Sequence, residues 1–311
     1  MAKLTKVELK AKADALAKEN VELRASLAQA HAAHVAPFTP IKREKRNTRE
    51  DRVRVQIPDS HGMYADSGAI AAFLADLKDL DPDEIVMTGD HVDCGGFLAA
   101  HHTLGYVAQM EYSYEQDIAA ANEFLNAIQA NAPRAKIHYL EGNHEGRVER
   151  WCVTQALGNK GDAEMMRKVF APQYLLDLKG RGIPYYRRSV QYMGLPIPGA
   201  IKLGKMHYIH EMGCAKHAAA DIVARFGGSV RFGHTHRSQS EIIRNVAAGV
   251  LGAWNPGCLC ILQQYYSHST LTNQSHGYGV ELITPSDHFL SLNVPIINGI
   301  SHLSALMRRM V

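Results

Sequence analysis

The chain has 311 residues, which is enough for one large domain or two small ones with a sizeable core. Hydrophobic residues make up 46% and charged residues 21%, an ordinary globular composition, and no apolar run approaches the length of a membrane span. The net charge of +3 is too small to indicate nucleic-acid binding by itself, and five irregularly spaced cysteines argue against a disulfide framework and favour a reducing compartment.

Residues 1–35 are predicted to form a helix that lies outside the main domain. Its basic start leads into no apolar core, so we expect no secretory signal and a cytoplasmic protein. The helix carries a heptad pattern whose positions are Leu9, Leu16 and Leu23, followed four residues later by Ala13, Asn20 and Leu27. A core asparagine favours a parallel coiled coil in fixed register, and hence a homodimer or higher homo-oligomer. A helix packed on its own domain fits the same residues.

The segment 36–52 has two prolines followed by dense charge of both signs, which is typical of a solvated linker. From residue 53 to residue 311 the pattern favours a single α/β domain with mixed sheets, because short strands first alternate with helices and then dominate. The predicted strands are 53–57, 84–88, 136–140, 206–210, 229–233, 240–246, 249–254, 258–266, 277–284 and 288–294. The predicted helices are 67–80, 114–130 and 215–226.

Polar side chains cluster where the predicted strands end, which is where open α/β sheets build their sites. They are Asp59, His61, Asp90, Asp93, Asn143, His144, His210, His234 and His236. Taken singly, each has a structural explanation, such as a capped turn or a core histidine. Taken together, the imidazoles, carboxylates and amide suit manganese, iron or zinc, and they are numerous enough for two ions.

These residues fall into five motifs between residues 59 and 236: Asp-x-His, Gly-Asp-x-x-Asp, Gly-Asn-His-Glu, a separate His, and Gly-His-x-His. In this order they resemble the calcineurin-like metallophosphoesterases. The resemblance covers nearly everything beyond residue 53. It implies a four-layer αββα sandwich, in which two mixed β-sheets lie face to face with helices on the outer surfaces.

The resemblance also implies a role for each residue. One ion would be held by Asp59, His61 and His236, the other by Asn143, His210 and His234, with Asp90 bridging both. His144 would be the general acid, and Asp93 the carboxylate that orients it. Apart from the resemblance, we expect Arg147 to contact the substrate together with Asn143 and His144.

The chemistry of such a centre is that of a phosphoric ester hydrolase. Two divalent ions, here manganese or alternatively iron or zinc, can share a hydroxide at a separation of about 3.5–4 Å and lower its pKa. A phosphoryl group docked on them has its oxygens neutralised, which permits in-line attack. The departing alkoxide needs a proton, and a histidine is a suitable donor near neutral pH.

Two features favour a phosphodiester of a nucleotide or nucleic acid. Cys94 stands where the phosphoprotein phosphatases have an arginine that would clamp a dianionic phosphate, although Arg147, Arg150 or Arg237 could compensate. The stretch 254–258, WNPGC, resembles the Asn-Pro-Gly-Ser turn of the phosphodiesterase and nuclease branches, and it is also an ordinary turn sequence.

Other interpretations stay open. The protein could be a phosphomonoesterase or a Ser/Thr protein phosphatase. It could also be a metal-bearing scaffold without turnover, which predicts loss of the general acid or of the bridging carboxylate. The substrate side could be lined by Tyr64, His91, His101 and His102, although the adjacent histidines fit a surface loop equally well.

Overall fold

The structure is a computed structural model that describes Lys10, Lys18 and residues 50–97, 112–188, 190–195, 197, 199–263 and 272–303. The chain divides into two compact units, Met1–Phe38 and Thr39–Val311, and the elements below all belong to the second. Apart from Lys10 and Lys18, the predicted coiled coil and the linker up to residue 49 lie outside the described residues. His101 and His102 do so as well.

Two mixed β-sheets form the centre of the second unit. In chain order the strands of the described residues are β1 (Arg52–Ile57), β2 (Glu84–Met87), β3 (Lys136–Leu140), β4 (Tyr185–Tyr186), β5 (Ile201–Leu203), β6 (Met206–Tyr208), β7 (Ser229–Arg231), β8 (Ser238–Asn245), β9 (Gly249–Pro256), β10 (His276–Ile283) and β11 (Phe289–Ile296). The first sheet has the order β11-β10-β1-β2-β3-β4, and the second β5-β6-β7-β9-β8. Strands β1 to β4 run parallel, as do β6, β7 and β9.

Six α-helices accompany the strands in the described part of the chain. They are α1 (Ser67–Leu80), α2 (Tyr114–Asn131), α3 (Glu145–Gln155), α4 (Lys160–Phe170), α5 (Pro172–Leu175) and α6 (Ala218–Phe226). Helices α1 and α2 begin at side-chain caps, since Asp66 accepts from the Ala69 amide at 2.8 Å and Ser113 from the Gln116 amide at 3.3 Å.

The elements stack in four layers. Phe73 of α1 packs edge-on against Phe124 of α2 and Tyr278 of β10, with ring centroids 6.1 and 5.2 Å apart, so both helices cover the outer face of the first sheet. Helix α6 buries Ile222 and Val223 in a second core against β7 and β9. A third core joins β2 and β3 to β6 and β9 between the sheets. The expected αββα sandwich is confirmed.

A buried ionic network also joins the two sheets, and we call it the inter-sheet cluster. Arg54 of β1 lies 2.6 Å from Glu84 of β2 and 3.1 Å from Glu281 of β10. Arg231 of β7 in the second sheet lies 3.0 Å from the other oxygen of Glu281, which also accepts from the Tyr208 hydroxyl. Both cations therefore have carboxylate partners inside the protein.

The predicted strand 258–266 is wrong where the structure describes it. After Pro256 the chain makes only isolated bridges at Cys258 and Cys260, because Gly257 takes a φ of 108° and the Leu259 amide donates to Asp59. None of the five cysteines is in a disulfide. Among the described residues we find no helix with the length and hydropathy of a membrane span.

Candidate metal centre

The predicted site residues converge because the parallel strands end at one edge. Asp59 and His61 follow β1, Asp90 follows β2, and Asn143 and His144 follow β3. The second sheet contributes its residues from the same side: His210 follows β6, and His234 and His236 follow β7. All nine sequence-predicted residues are buried or half-buried.

The backbone carrying these side chains is strained. His61, Asp90, His234 and His236 have φ values of 53°, 54°, 68° and 55°, in the left-handed region that residues other than glycine seldom adopt. Each such residue costs on the order of 1–3 kcal/mol, and strain of this kind concentrates at functional sites. Four of the seven predicted ligands therefore have a left-handed backbone conformation.

The glycine that precedes Asn143 is needed for close approach. A Cβ on Gly142 would lie 2.0 Å from an oxygen of Asp90 and 2.3 Å from its amide nitrogen. Any side chain at this position would therefore push the loop after β3 away from the loop after β2. Gly142 brings Asn143 and His144 beside Asp90, and the His144 amide donates to Asp90 at 2.8 Å.

The first predicted ligand set is Asp59, His61 and His236. The Nε2 atoms of the two imidazoles are 3.2 Å apart, and His236 Nε2 lies 3.1 Å from Asp59 Oδ2. The far side of each ring is held: Asp93 Oδ1 lies 2.9 Å from His61 Nδ1, and the Cys260 thiol lies 3.8 Å from His236 Nδ1. Three donor atoms thus converge, with their rings fixed from behind.

The second predicted ligand set is Asn143, His210 and His234, and Asp90 lies beside it as the predicted bridge. His210 Nε2 lies 2.8 Å from the Asn143 side-chain oxygen and 3.2 Å from Asp90 Oδ2. Donor atoms of Asp90, His210 and His234 all lie within 4.8 Å of one another. The Thr88 carbonyl accepts from His210 Nδ1 at 2.7 Å, which directs Nε2 toward the site.

Asp90 belongs to both sides of the centre, since its donor atoms also group with those of His61 and His144. The electrostatics call for added positive charge. Burial lowers the pKa of His210, but the charge and hydrogen bond of Asp90, together with the charges of Asp59 and Glu211, raise it to about 10. Protons are thus held where divalent cations would provide the charge, and the carboxylate, imidazole and amide donors fit such cations.

His144 lies beside this centre with Asp93 behind it. Its Nδ1 is 2.7 Å from the Asp93 carbonyl and 3.2 Å from the Asp93 carboxylate. Burial alone would lower the pKa of His144, but the charges of Asp90 and Asp93 raise it above its usual value. Arg147 donates to His144 Nε2 at 2.8 Å and to the Asp93 carbonyl at 2.9 Å.

The sequence pattern did not reveal how the loop after β2 is held. Glu145 is buried and accepts from the amides of Asp90, His91 and Val92 and from that of Gly142, at 2.8–3.3 Å. The sequence signal that marks Glu145 is its place as the last residue of the Gly-Asn-His-Glu motif.

Three further residues of the site escaped the sequence pattern. Asp117 of α2 accepts from the amides of Asp93 and Cys94 at 3.2 and 3.0 Å, and burial raises its pKa to about 6. Glu211 lies 3.3 Å from His234 Nε2. Cys260 groups with His61 and His236.

The remaining candidates are placed less favourably. His91 is 2% exposed. Its Nδ1 shares a hydrogen bond with the Ser60 hydroxyl at 2.9 Å, and its ring packs edge-on against Tyr139. His91 therefore lies beneath the site and not on the substrate side. Tyr64 is half-buried and stacks on Tyr112. Arg237 donates to the carbonyls of residues 214 and 215.

The sequence of residues 54–238 matches a family model described as calcineurin-like phosphoesterase. The match covers more than half of the chain and includes every predicted metal ligand. The chain belongs to the calcineurin-like phosphoesterase family. The resemblance drawn from the five motifs is confirmed, and the protein is a metallophosphoesterase, in general terms a phosphoester hydrolase. No curated protein sequence matches the chain significantly.

Solved structures similar to this chain include two Vps29 proteins and a bacterial phosphoesterase. A Vps29 single mutant from Entamoeba histolytica is 14% identical, with 80% of this chain and 95% of that chain covered at a TM-score of 0.40. Vps29 from Cryptosporidium parvum is 10% identical, with 81% and 95% covered at 0.40. YfcE, a phosphoesterase from E. coli, is 13% identical, with 78% and 98% covered at 0.34. The family assignment rests on the sequence match and not on these distant likenesses.

Proposed function

We propose that this metallophosphoesterase hydrolyses a phosphodiester in a nucleotide or nucleic acid, with two divalent ions and His144 as the general acid. The observation that carries the proposal is the convergence of two ligand sets on Asp90, directly beside His144. When bound, the ions supply charge neutralisation for the phosphoryl group and an activated water. Manganese is the first choice, with iron or zinc as alternatives, because the proposed ligands are imidazoles, carboxylates and an amide.

The chain's own residues would divide the work as follows. Asp59, His61 and His236 hold one ion, while Asn143, His210 and His234 hold the other. Asp90 is shared by the two sets, because its oxygens face both. Asp93 holds the rings of His61 and His144 from behind, at 2.9 and 3.2 Å.

His144 would protonate the departing oxygen from Nε2. Its Nδ1 faces the Asp93 carbonyl and carboxylate, which stabilise a protonated ring. Arg147 donates to Nε2 at 2.8 Å, so in this arrangement the ring is neutral. A phosphate oxygen that accepts from Arg147 instead would release Nε2 for protonation, which couples substrate binding to the acid.

The charge of the substrate site supports a diester. Cys94 takes the position of the phosphatase arginine, and it is buried with its amide held by Asp117 at 3.0 Å. Arg147 already has donors engaged with Asp93 and His144, so it offers less than a full bidentate clamp. A monoanionic diester needs less compensation than a dianionic monoester.

The turn that resembles the phosphodiesterase motif supports the same centre. The Asn255 side chain donates to the Gly233 carbonyl at 2.6 Å and to the Thr235 hydroxyl at 3.0 Å. Gly257 donates its amide to the Asn255 oxygen at 2.9 Å. The turn therefore braces the loop that carries His234 and His236.

The test compares turnover of bis-p-nitrophenyl phosphate and p-nitrophenyl phosphate by manganese-loaded protein. We expect the diester to be cleaved faster. Faster cleavage of the monoester would overturn the diester preference in favour of a phosphomonoesterase or protein phosphatase. Cleavage of neither would favour the non-catalytic scaffold, although the general acid and the bridging carboxylate are both present in this site.

A further inference from the structure

Three arginines line the first turns of α3 next to the metal centre, and we call Arg147, Arg150 and Arg188 the arginine strip. Arg147 reaches His144 directly. Arg188 comes from the segment after β4 and lies over Gly146, where a Cβ would meet its Cδ at 3.1 Å. The same Cβ would lie 3.8 Å from Nη1 of Arg150, so Gly146 allows both guanidinium groups to pack over the helix start.

The strip is tied to the second ligand set. Glu211 pairs with Arg188 through one carboxylate oxygen and lies 3.3 Å from His234 through the other. Arg188 also donates its amide to Glu141 at 2.6 Å. Glu211 therefore links the Arg188 side chain directly to His234, a proposed metal ligand.

Positive charge exceeds negative charge along the strip. Glu211 is shared between Arg188 and His234, and Nη1 of Arg188 is buried without a partner in the part of the chain that the structure describes. Arg150 is exposed and forms no ion pair with any described residue. Part of the Arg150 side chain is still desolvated, and this partial burial, followed by the like charges of Arg188 and Arg147, lowers its pKa.

Such an arrangement is stabilised by an anion. Arginine offers planar paired donors that match phosphate oxygens, and the start of α3 adds the positive end of a helix dipole. Arg147 and Arg150 are three residues apart on α3, so their Cβ atoms lie about 5–6 Å apart on one helix face. This separation suits two different phosphates of one substrate.

We propose that Arg150 and Arg188 bind the phosphate that neighbours the scissile one, so that the preferred substrate is a diester carrying a second phosphate group. Arg147 would serve the scissile phosphate at His144. The inference rests on the proposed diesterase function. It narrows the substrate class to oligonucleotides or nucleotides with adjacent phosphates.

The experiment compares three thymidine dinucleotides: one without a terminal phosphate, one with a 5′-phosphate and one with a 3′-phosphate. We expect manganese-loaded protein to prefer one phosphorylated form by roughly 10- to 100-fold in kcat/KM, the size of one charge-assisted hydrogen-bond pair. Arg150→Gln and Arg188→Gln should each reduce this ratio. Arg244→Gln, an exposed arginine on β8, should keep it.

A wild-type protein with equal kcat/KM on all three dinucleotides would overturn the proposal, as would variants that keep the ratio. Binding of thymidine 3′,5′-bisphosphate to metal-free protein, measured by calorimetry, gives a readout without turnover. We expect Arg150→Gln to weaken it and Arg244→Gln to leave it intact. If binding follows this pattern while no diester is cleaved, the arginine site stands and the proposed function fails.

Discussion

The inter-sheet cluster and the candidate metal centre are both buried and charged, but the first is built from strand residues and the second from loops that follow the strands. Their charges are organised in opposite ways. In the inter-sheet cluster Arg54 and Arg231 meet Glu84 and Glu281 at 2.6–3.1 Å, so cations and anions balance. In the metal centre imidazole nitrogens face each other, as His61 and His236 do at 3.2 Å.

The difference separates structural from functional polar burial. A network whose charges are matched inside the chain needs nothing further, and its role is to join two sheets. A cluster in which several acceptors point at one place is costly unless a cation or protons fill it. Left-handed backbone at His61, Asp90, His234 and His236 adds to that cost at the metal centre.

The largest effect is expected at the candidate metal centre. Asp90→Asn removes the charge shared by both ligand sets, so we expect metal content and turnover to fall together. Each should fall by more than the roughly 10- to 100-fold loss that follows mutation of residues that only orient the ligands. Elemental analysis and diester turnover measure the two. Asp162→Asn, exposed on α4, is the matched control. Full metal occupancy in Asp90→Asn would contradict the bridging role.

A smaller effect separates the acid from the ligands. His144→Ala should keep both ions and slow turnover by about two to four orders of magnitude, the usual range for acid–base catalysis. The loss should shrink for substrates with more acidic leaving groups. His288→Ala, an exposed histidine before β11, should change nothing. A constant loss across leaving groups would mean that His144 is not the proton donor.

The third prediction concerns the stability provided by the inter-sheet cluster. Arg231→Met removes one of the two cations that pair with the buried Glu281 and should lower the free energy of unfolding by up to about 3–5 kcal/mol, measured by denaturant titration. Arg225→Met removes an exposed pair with Asp221 and should cost at most about 1 kcal/mol. The double change Arg231→Met with Glu281→Leu should recover part of the loss. A loss equal to that of Arg225→Met would show that the cluster contributes little.

Much of the sheet core could be predicted from the sequence because its elements are long and clearly patterned. The helix 67–80 and the strand 136–140 have the predicted bounds. Helices α3 to α5 and strands β4 and β5 were not predicted. Helix α3 begins at His144 without a side-chain cap, and β4 and β5 are two and three residues long, too short for a periodic pattern.

The candidate metal ligands could be predicted from the sequence, whereas the residues that hold them in place could not. The ligands stand in short motifs, whereas the residues that hold them come from distant parts of the chain. Asp117 supports Asp93 from α2, and Glu211 and Arg188 meet across a separation of 23 residues. Nothing local in the sequence marks such pairs.

Glu145 accepts hydrogen bonds from the amides of Asp90, His91, Val92 and Gly142. These bonds bear on how the protein would take up its ions. The chain itself makes these hydrogen bonds, so we expect ions to bind at this loop by displacing protons and not by refolding it. We also expect one ion to replace another without rearrangement of the loop. The metal in a preparation should then depend on availability during expression as much as on intrinsic selectivity.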